Sequence, residues 1–178
     1  MRFVTLTPEE DEAADVVGIG RTQENEKSGR GDRASYDPSL ILSDNSFANR
    51  MAARAELGVA KWYGAKWLGK VWPVSEHYLH ADEPDSELGP IGIETKWRRT
   101  GGWGVPLDVK DAEQNHLIVW AGVNPARNAD ELTTVQIVGE RFASELWEVA
   151  KPGPRGDKRR RYADPIHLLK PGDVLGRK

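Results

Sequence analysis

The sequence contains no cysteine and no apolar run long enough to span a membrane. Without cysteine there can be no disulfide bridge and no metal centre built on thiolates. A bilayer crossing needs roughly 20 consecutive apolar residues. The N-terminal segment is acidic, whereas a secretion signal would be basic and then apolar. We therefore expect a cytoplasmic protein with no membrane partner.

The sequence also lacks an excess of positive charge, since the formal net charge of its 178 residues is −3. This value argues against attraction of nucleic acid by the protein as a whole. Local basic clusters would have to provide any such binding. Three segments qualify, and our candidates for contacts to DNA phosphates and bases are Arg30, Arg33, Trp97, Arg98, Arg99, Lys158, Arg159, Arg160 and Arg161.

Composition and length indicate one folded domain. Charged residues make up 30% and hydrophobic residues 38% of the chain, which is polar but still apolar enough for a core. A chain of this length leaves little room for a second core. We divide the single domain into an N-terminal helix and loop (1–44), a core (45–150), and a basic loop with a C-terminal tail (151–178).

Helix signals occur at three places. Thr7 followed by Pro8 is typical of a helix start, and a polar helix is predicted after it. Residues 28–44 are rich in Gly, Asp, Ser and Pro, which predicts a loop. Apolar residues at helical spacing predict a second helix from Asn45 or Ser46, and Glu56 lies within it. A third helix is predicted over 141–150.

One predicted strand has a polar face of chemical interest. In segment 91–97 apolar and polar residues alternate, so Glu94 and Lys96 lie on the same face. Further strands are predicted over 71–80, 105–111, 116–123 and 132–140, with a short one in the C-terminal part. The apolar run 116–123 is typical of a central, buried strand.

Acidic residues and a lysine around this strand suit phosphodiester hydrolysis. That reaction uses a divalent cation to neutralise phosphate oxygens and to lower the pKa of an attacking water, and Mg²⁺ prefers oxygen ligands. Glu94, Asp85 in the preceding loop and Glu56 on the second helix supply three carboxylates. Lys96 follows Glu94 at about 7 Å along the strand. Its ammonium can position the water or offset charge in the transition state.

These residues resemble the PD-(D/E)XK nuclease superfamily. Pro84-Asp85 followed by Glu94-Thr95-Lys96 matches its motif literally, and from about residue 30 onward the chain is similar to small phage-type members. The resemblance implies an α/β restriction-endonuclease-like fold, with a central mixed β-sheet flanked by α-helices. It also implies a DNA endonuclease in which Glu56, Asp85 and Glu94 bind Mg²⁺ or Mn²⁺ and act with Lys96 as the catalytic set.

Several alternatives stay open at this point. Asp82 could replace Asp85 as the loop ligand, and Asp108-Val109-Lys110 offers a rival motif with Glu94 as its upstream acid. The histidines lack zinc-site spacing, although His80 is close enough to the acidic loop to line a cleft. A nuclease-like fold without catalysis would be a DNA-binding or interaction module. A Holliday-junction resolvase would keep the chemistry and act as a homodimer.

Overall fold

The computed structural model describes residues 1–28, 42–77, 79–80, 82–97, 104–153 and 159–176, and in the second helix it describes side chains from Ser46 onward. No helix within these ranges has both the length and the apolar character of a membrane span. The helices are α1 (Pro8–Lys27), α2 (Leu42–Tyr63), α3 (Val109–Glu113) and α4 (Ala143–Val149), with 3₁₀ turns at Val74–Glu76 and Pro165–His167.

Helix α1 begins where the sequence predicts it. The Thr7 hydroxyl accepts a hydrogen bond from the Glu10 backbone N–H at 3.2 Å. The Glu10 carboxylate in turn accepts one from the Thr7 N–H at 2.8 Å. This reciprocal cap satisfies two N–H groups that have no partner within the helix. The polar helix after Thr7-Pro8 is thus confirmed.

Helices α1 and α2 lie against each other at very short range. A Cβ atom on Gly18 would come within 2.4 Å of the Arg50 Cα, so the close approach requires glycine. Around it, Asp11 and Asp15 of α1 form ion pairs with Arg50 and Arg54 of α2. We call these four residues the helix-pair cluster.

The strands form two sheets. The strand bounds are β1 (Arg2–Thr5), β2 (Lys66–Trp67), β3 (Ser86–Leu88), β4 (Ile91–Trp97), β5 (Val105–Asp108), β6 (Leu117–Asn124), β7 (Thr134–Phe142), β8 (Lys151–Pro152) and β9 (Arg160–Ala163). A six-stranded mixed sheet has the order β1-β7-β6-β4-β3-β2, and a three-stranded antiparallel sheet has the order β5-β9-β8. The structure is therefore α/β, with a mixed central sheet and flanking helices.

Strands β4 and β6 are parallel, and Ile93 lies beside Leu117. Two parallel neighbours need a crossover connection, and here it contains β5 and α3. On one face of β4, Ile93 belongs to a core cluster with Ala55, Val59 and Tyr63 of α2. Glu94 must point to the opposite face, because side chains alternate along a strand.

That opposite face carries a second core cluster. Ile118, which pairs with Glu94 across the parallel strands, is fully buried there. Leu107 of β5 and Leu146 of α4 pack in the same cluster. The crossover and α4 thus cover the side of the sheet on which Glu94 and Lys96 lie.

Some sequence predictions are wrong. The predicted strand over 71–80 is replaced by the 3₁₀ turn after Pro73, a residue without the N–H that a strand ladder needs. The acidic loop instead contains β3. In 105–111 only the first four residues form a strand, since Asp108 caps α3.

The other predicted elements are present with shifted ends, whereas β1, β2 and β8 were not predicted. Helix α2 begins at Leu42, three residues before the predicted Asn45. The buried strand predicted over 116–123 is β6, and that over 132–140 is β7, which continues to Phe142. Helix α4 consequently begins at Ala143 rather than Arg141. A short C-terminal strand, β9, is present as expected.

Candidate metal centre

Glu94 and Lys96 lie side by side on β4, as the alternation predicts. The Lys96 Nζ atom lies 2.9 Å from Glu94 Oε1 and also 2.9 Å from Asp111 Oδ2 on α3. Burial works to lower the pKa of Lys96, but attraction to the two carboxylates outweighs it and raises the pKa. Lys96 is therefore a charged ammonium near neutral pH. It can donate hydrogen bonds but cannot accept a proton.

Asp85 is placed next to Glu94 by the register of β3 and β4. Ser86 pairs with Ile93. Because the pair is antiparallel, extending the register by one residue beyond β3 places Asp85 opposite Glu94. The Asp85 Oδ2 atom accepts a hydrogen bond from the Thr95 N–H at 2.8 Å. Burial, together with the charges of Glu56 and Glu94, nevertheless raises the pKa of Asp85 well above its ordinary value. Carboxylates crowded in this way favour a bound cation.

Glu56 reaches the same region from α2, but its carboxylate is already engaged. Arg21 of α1 donates to both of its oxygens, at 2.6 and 2.8 Å. The Arg21 Nε also donates to the Lys70 carbonyl at 2.9 Å. Arg21 is therefore held between α1, α2 and the chain before β3. Arg21 was not predicted as a site residue, because no local pattern in a polar helix shows which side chain will reach another element.

The candidate site opens into a pocket of about 360 Å³. This volume lies in the range of small-molecule sites. The rings of Trp72 and His80 stack on each other in its wall, with centroids 3.7 Å apart. His80 lines the cleft, as expected from its position. The full lining consists of Arg21, Asn25, Asn49, Lys70, Trp72, His77, His80, Glu83, Asp85 and Glu94.

Two further residues of the site, Asp111 and His116, were not predicted. Asp111 is buried on α3, and His116 is buried directly before β6. Ligand atoms of Glu94, Asp111 and His116 lie within 4.8 Å of one another. Asp108 and Asp111 stand at the spacing of a capping box, which could have shown that a helix starts here. The sequence held no comparable signal for His116.

The structure separates the alternatives for the loop acid. Asp85 lines the pocket beside Glu94. The Asp82 side chain is 62% exposed and pairs with Lys110 at 3.0 Å. The rival motif Asp108-Val109-Lys110 is wrong as a strand-face pair. Asp108 caps α3 while Lys110 lies within that helix, and Lys110 points to Asp82.

The proposed DNA contacts are described only in part. Trp97 is half-buried and meets Phe47 edge to face at 6.4 Å. Arg160 approaches Asp108 at 3.8 Å, and Arg161 lies over the Trp147 ring at 4.5 Å. Arg159 is exposed. The others lie outside the described residues: Arg30, Arg33, Arg98, Arg99 and Lys158.

The charges of the site suit a divalent cation. Four carboxylates, those of Glu56, Asp85, Glu94 and Asp111, face two cationic side chains, those of Arg21 and Lys96. When all are ionised, four negative and two positive charges leave a net −2, which one Mg²⁺ or Mn²⁺ would balance. Carboxylate oxygens are also the ligands that these cations prefer.

Comparison with known proteins finds no matching family model, no similar curated protein and no similar solved structure. Membership in the PD-(D/E)XK superfamily, and in its small phage-type group, therefore stays a prediction from the sequence motif. The α/β class with a mixed central sheet stands on the structure itself.

Proposed function

We propose that this chain is a Mg²⁺- or Mn²⁺-dependent deoxyribonuclease with a restriction-endonuclease-like fold, which cuts DNA by hydrolysis. The observation that carries the proposal is that Asp85, directly before β3, and Glu94, on the neighbouring strand β4, line one pocket. Burial, together with repulsion from Glu56 and Glu94, raises the pKa of Asp85. Lys96 adds an ammonium from the same strand face as Glu94.

Asp85 and Glu94 would hold the cation, and Glu56 would support it from α2. The cation, when bound, supplies charge neutralisation at the phosphate and a water of lowered pKa. The Thr95 N–H fixes one oxygen of Asp85, which leaves the other free to point into the pocket. Arg21 orients Glu56 through both of its oxygens.

Lys96 would stabilise charge rather than remove a proton. Its raised pKa keeps the ammonium protonated across the neutral range. A fixed positive charge beside the reacting phosphate favours the transition state, in which negative charge builds up on the oxygens. The proton of the attacking water must then pass to solvent or to the phosphate itself.

With a cation bound, the pocket would also offer contacts to a phosphate-bearing substrate. Lys70 lines it and holds Glu83 at 3.2 Å, so the acidic wall also carries cationic groups. Asn25 of α1 and Asn49 of α2 also line it, and the Asn49 amide donates one hydrogen bond to the Thr22 hydroxyl at 3.0 Å. Such donors fix the position of a nucleic-acid backbone without reading its sequence.

Cleavage assays on linear, circular and branched DNA, each with Mg²⁺ or Mn²⁺, test the proposal. Glu94→Gln and Lys96→Met should each reduce the rate about 100-fold or more, as expected for loss of a group that stabilises the transition state. Glu87→Gln is the matched control, since this exposed residue on β3 pairs only loosely with Lys66, at 3.6 Å.

Three results would change the assignment. Cleavage that survives both substitutions would place the chemistry elsewhere. DNA binding without cleavage under any of these conditions would indicate an interaction module with a nuclease-like fold. A marked preference for four-way junctions by a dimer would instead indicate a Holliday-junction resolvase.

A further inference from the structure

His116 lies unusually close to strand β4. A Cβ atom built on Gly92 would be 2.6 Å from the His116 Cδ2 and 3.0 Å from its Nε2. No side chain fits at position 92 while the ring stays in place. Because Gly92 and Glu94 share one strand face, the glycine admits the imidazole to the same face as the Glu94 carboxylate.

One nitrogen of this ring is buried without a partner. His116 is only 9% exposed, and its Nδ1 atom has no hydrogen-bond partner among the described residues. A buried polar atom left unpaired costs roughly 1–3 kcal/mol. A neutral imidazole nitrogen is a metal ligand.

Glu94, Asp111 and His116 have nearly the spacing that a cation requires. Two ligands of one Mn²⁺ at about 2.1 Å can be at most about 4.2 Å apart. The three ligand atoms lie within 4.8 Å of one another, so shifts of about half an ångström bring them into range. The Lys96 ammonium lies 2.9 Å from the carboxylates of Glu94 and Asp111, where a metal ion bound by these groups would lie.

We propose that Glu94, Asp111 and His116 form a second cation site, separate from the one between Asp85 and Glu94, which a divalent transition-metal ion occupies by displacing the Lys96 ammonium. Glu94 can serve both sites, because its carboxylate has two oxygens. The imidazole makes this second site selective, since nitrogen ligands suit Mn²⁺, Co²⁺ or Zn²⁺ better than Mg²⁺. The inference rests on ligand geometry and does not need nuclease activity.

Electron spin-echo spectroscopy of the full chain loaded with Mn²⁺ gives a direct test. A directly bound imidazole produces modulation from its nitrogen, which carboxylates and water do not. The modulation should be present in the wild type and absent in His116→Gln. His80→Gln is the matched control, because His80 lines the neighbouring pocket and should leave the signal unchanged. A wild type without nitrogen modulation would overturn the proposal, as would modulation that persists in His116→Gln.

Affinity for Mn²⁺, measured by calorimetry, provides a second readout. His116→Gln should weaken binding at this site about tenfold or more, since loss of even a supporting partner of a ligand costs 10–100-fold. Lys96→Met should instead tighten binding, because it removes the competing ammonium. If His116→Gln does not fold, Lys96→Met decides: unchanged Mn²⁺ affinity in that variant would contradict the second site.

The outcome for the second site is distinguishable from that for the proposed function. Nitrogen modulation that depends on His116 in a protein that cuts no DNA would leave the cation site standing and refute the nuclease. DNA cleavage that depends on Glu94, in a protein without nitrogen modulation, would support the nuclease and refute the second cation site.

Discussion

Helices α1 and α2 contribute to two groups of charged residues with opposite properties. In the helix-pair cluster, two aspartates face two arginines, and Arg54 reaches Asp11 at 2.8 Å and Asp15 at 2.7 Å. The hydrogen bond from Arg54 lowers the pKa of Asp11. In the candidate metal centre, four carboxylates face two cations, and the pKa of Asp85 is raised.

The difference shows that charge balance, rather than residue type, separates the two groups. In the helix-pair cluster every described carboxylate is matched by a guanidinium, so ionisation is favourable and the ion pairs connect the helices. The metal centre keeps an excess of negative charge partly out of water, which is unfavourable for the fold alone. Perturbed carboxylates of this kind are concentrated at functional sites.

The largest effect on stability should come from Arg54→Met in the helix-pair cluster. The Arg54 side chain is 6% exposed, and its loss leaves Asp11 without its guanidinium partner. Breaking a buried ion pair from one side typically costs about 3 kcal/mol. Urea denaturation measures this loss. Arg50→Met is the control, since that side chain is 40% exposed and an exposed pair contributes about 1 kcal/mol or less. Equal losses in the two variants would contradict the comparison.

Asp85→Asn should stabilise the fold, in contrast to Arg54→Met. We expect it to raise the free energy of unfolding by about 1 kcal/mol at pH 7 when a chelator removes divalent cations. The asparagine oxygen can still accept the Thr95 N–H, while the repulsion from Glu56 and Glu94 disappears. Because the folded pKa of Asp85 lies above its ordinary value of 3.8, the wild type gains stability as pH falls through the folded pKa. Asparagine does not titrate, so Asp85→Asn does not gain stability in this way. The difference in unfolding free energy between the variant and the wild type should therefore shrink as pH falls through the folded pKa of Asp85. Urea denaturation at a series of pH values measures it, and a variant that is less stable at pH 7 would refute the raised pKa.

The smallest effect should come from Asp82→Asn, at about 0.5 kcal/mol or less, since its pair with Lys110 is exposed. Mn²⁺ binding should be unchanged in this variant and strongly weakened in Asp85→Asn. Calorimetric titration of both variants side by side measures the contrast. Loss of Mn²⁺ binding in Asp82→Asn would make Asp82 the loop ligand after all.

The parts of the site that the sequence predicted are those set by local rules. Alternation along β4 placed Glu94 and Lys96 on one face, and they are in contact at 2.9 Å. Helical spacing placed Glu56 within α2, where it is buried. Both inferences need only the side-chain periodicity of one helix or strand, which can be read from consecutive residues.

The parts that could not be predicted depend on contacts between elements. Asp111 and His116 reach Glu94 through the parallel register of β4 and β6, which no local pattern reveals. The bond from Arg21 to Glu56 depends on how α1 crosses α2. The wrong strand prediction at 71–80 has a different origin, because Pro73 lies within that segment and lacks the N–H that a strand ladder needs.

The parallel pairing of β4 and β6 has a consequence for how the chain tolerates deletions. Between two parallel strands, the connecting chain must run back along the full length of the first strand before the second strand can begin. Asp111 lies on that return path and His116 at its end. Most surface connections can be shortened with little loss, but this one carries part of the candidate site. A deletion at Asp111 or His116 would remove a polar group from that site together with a part of the crossover.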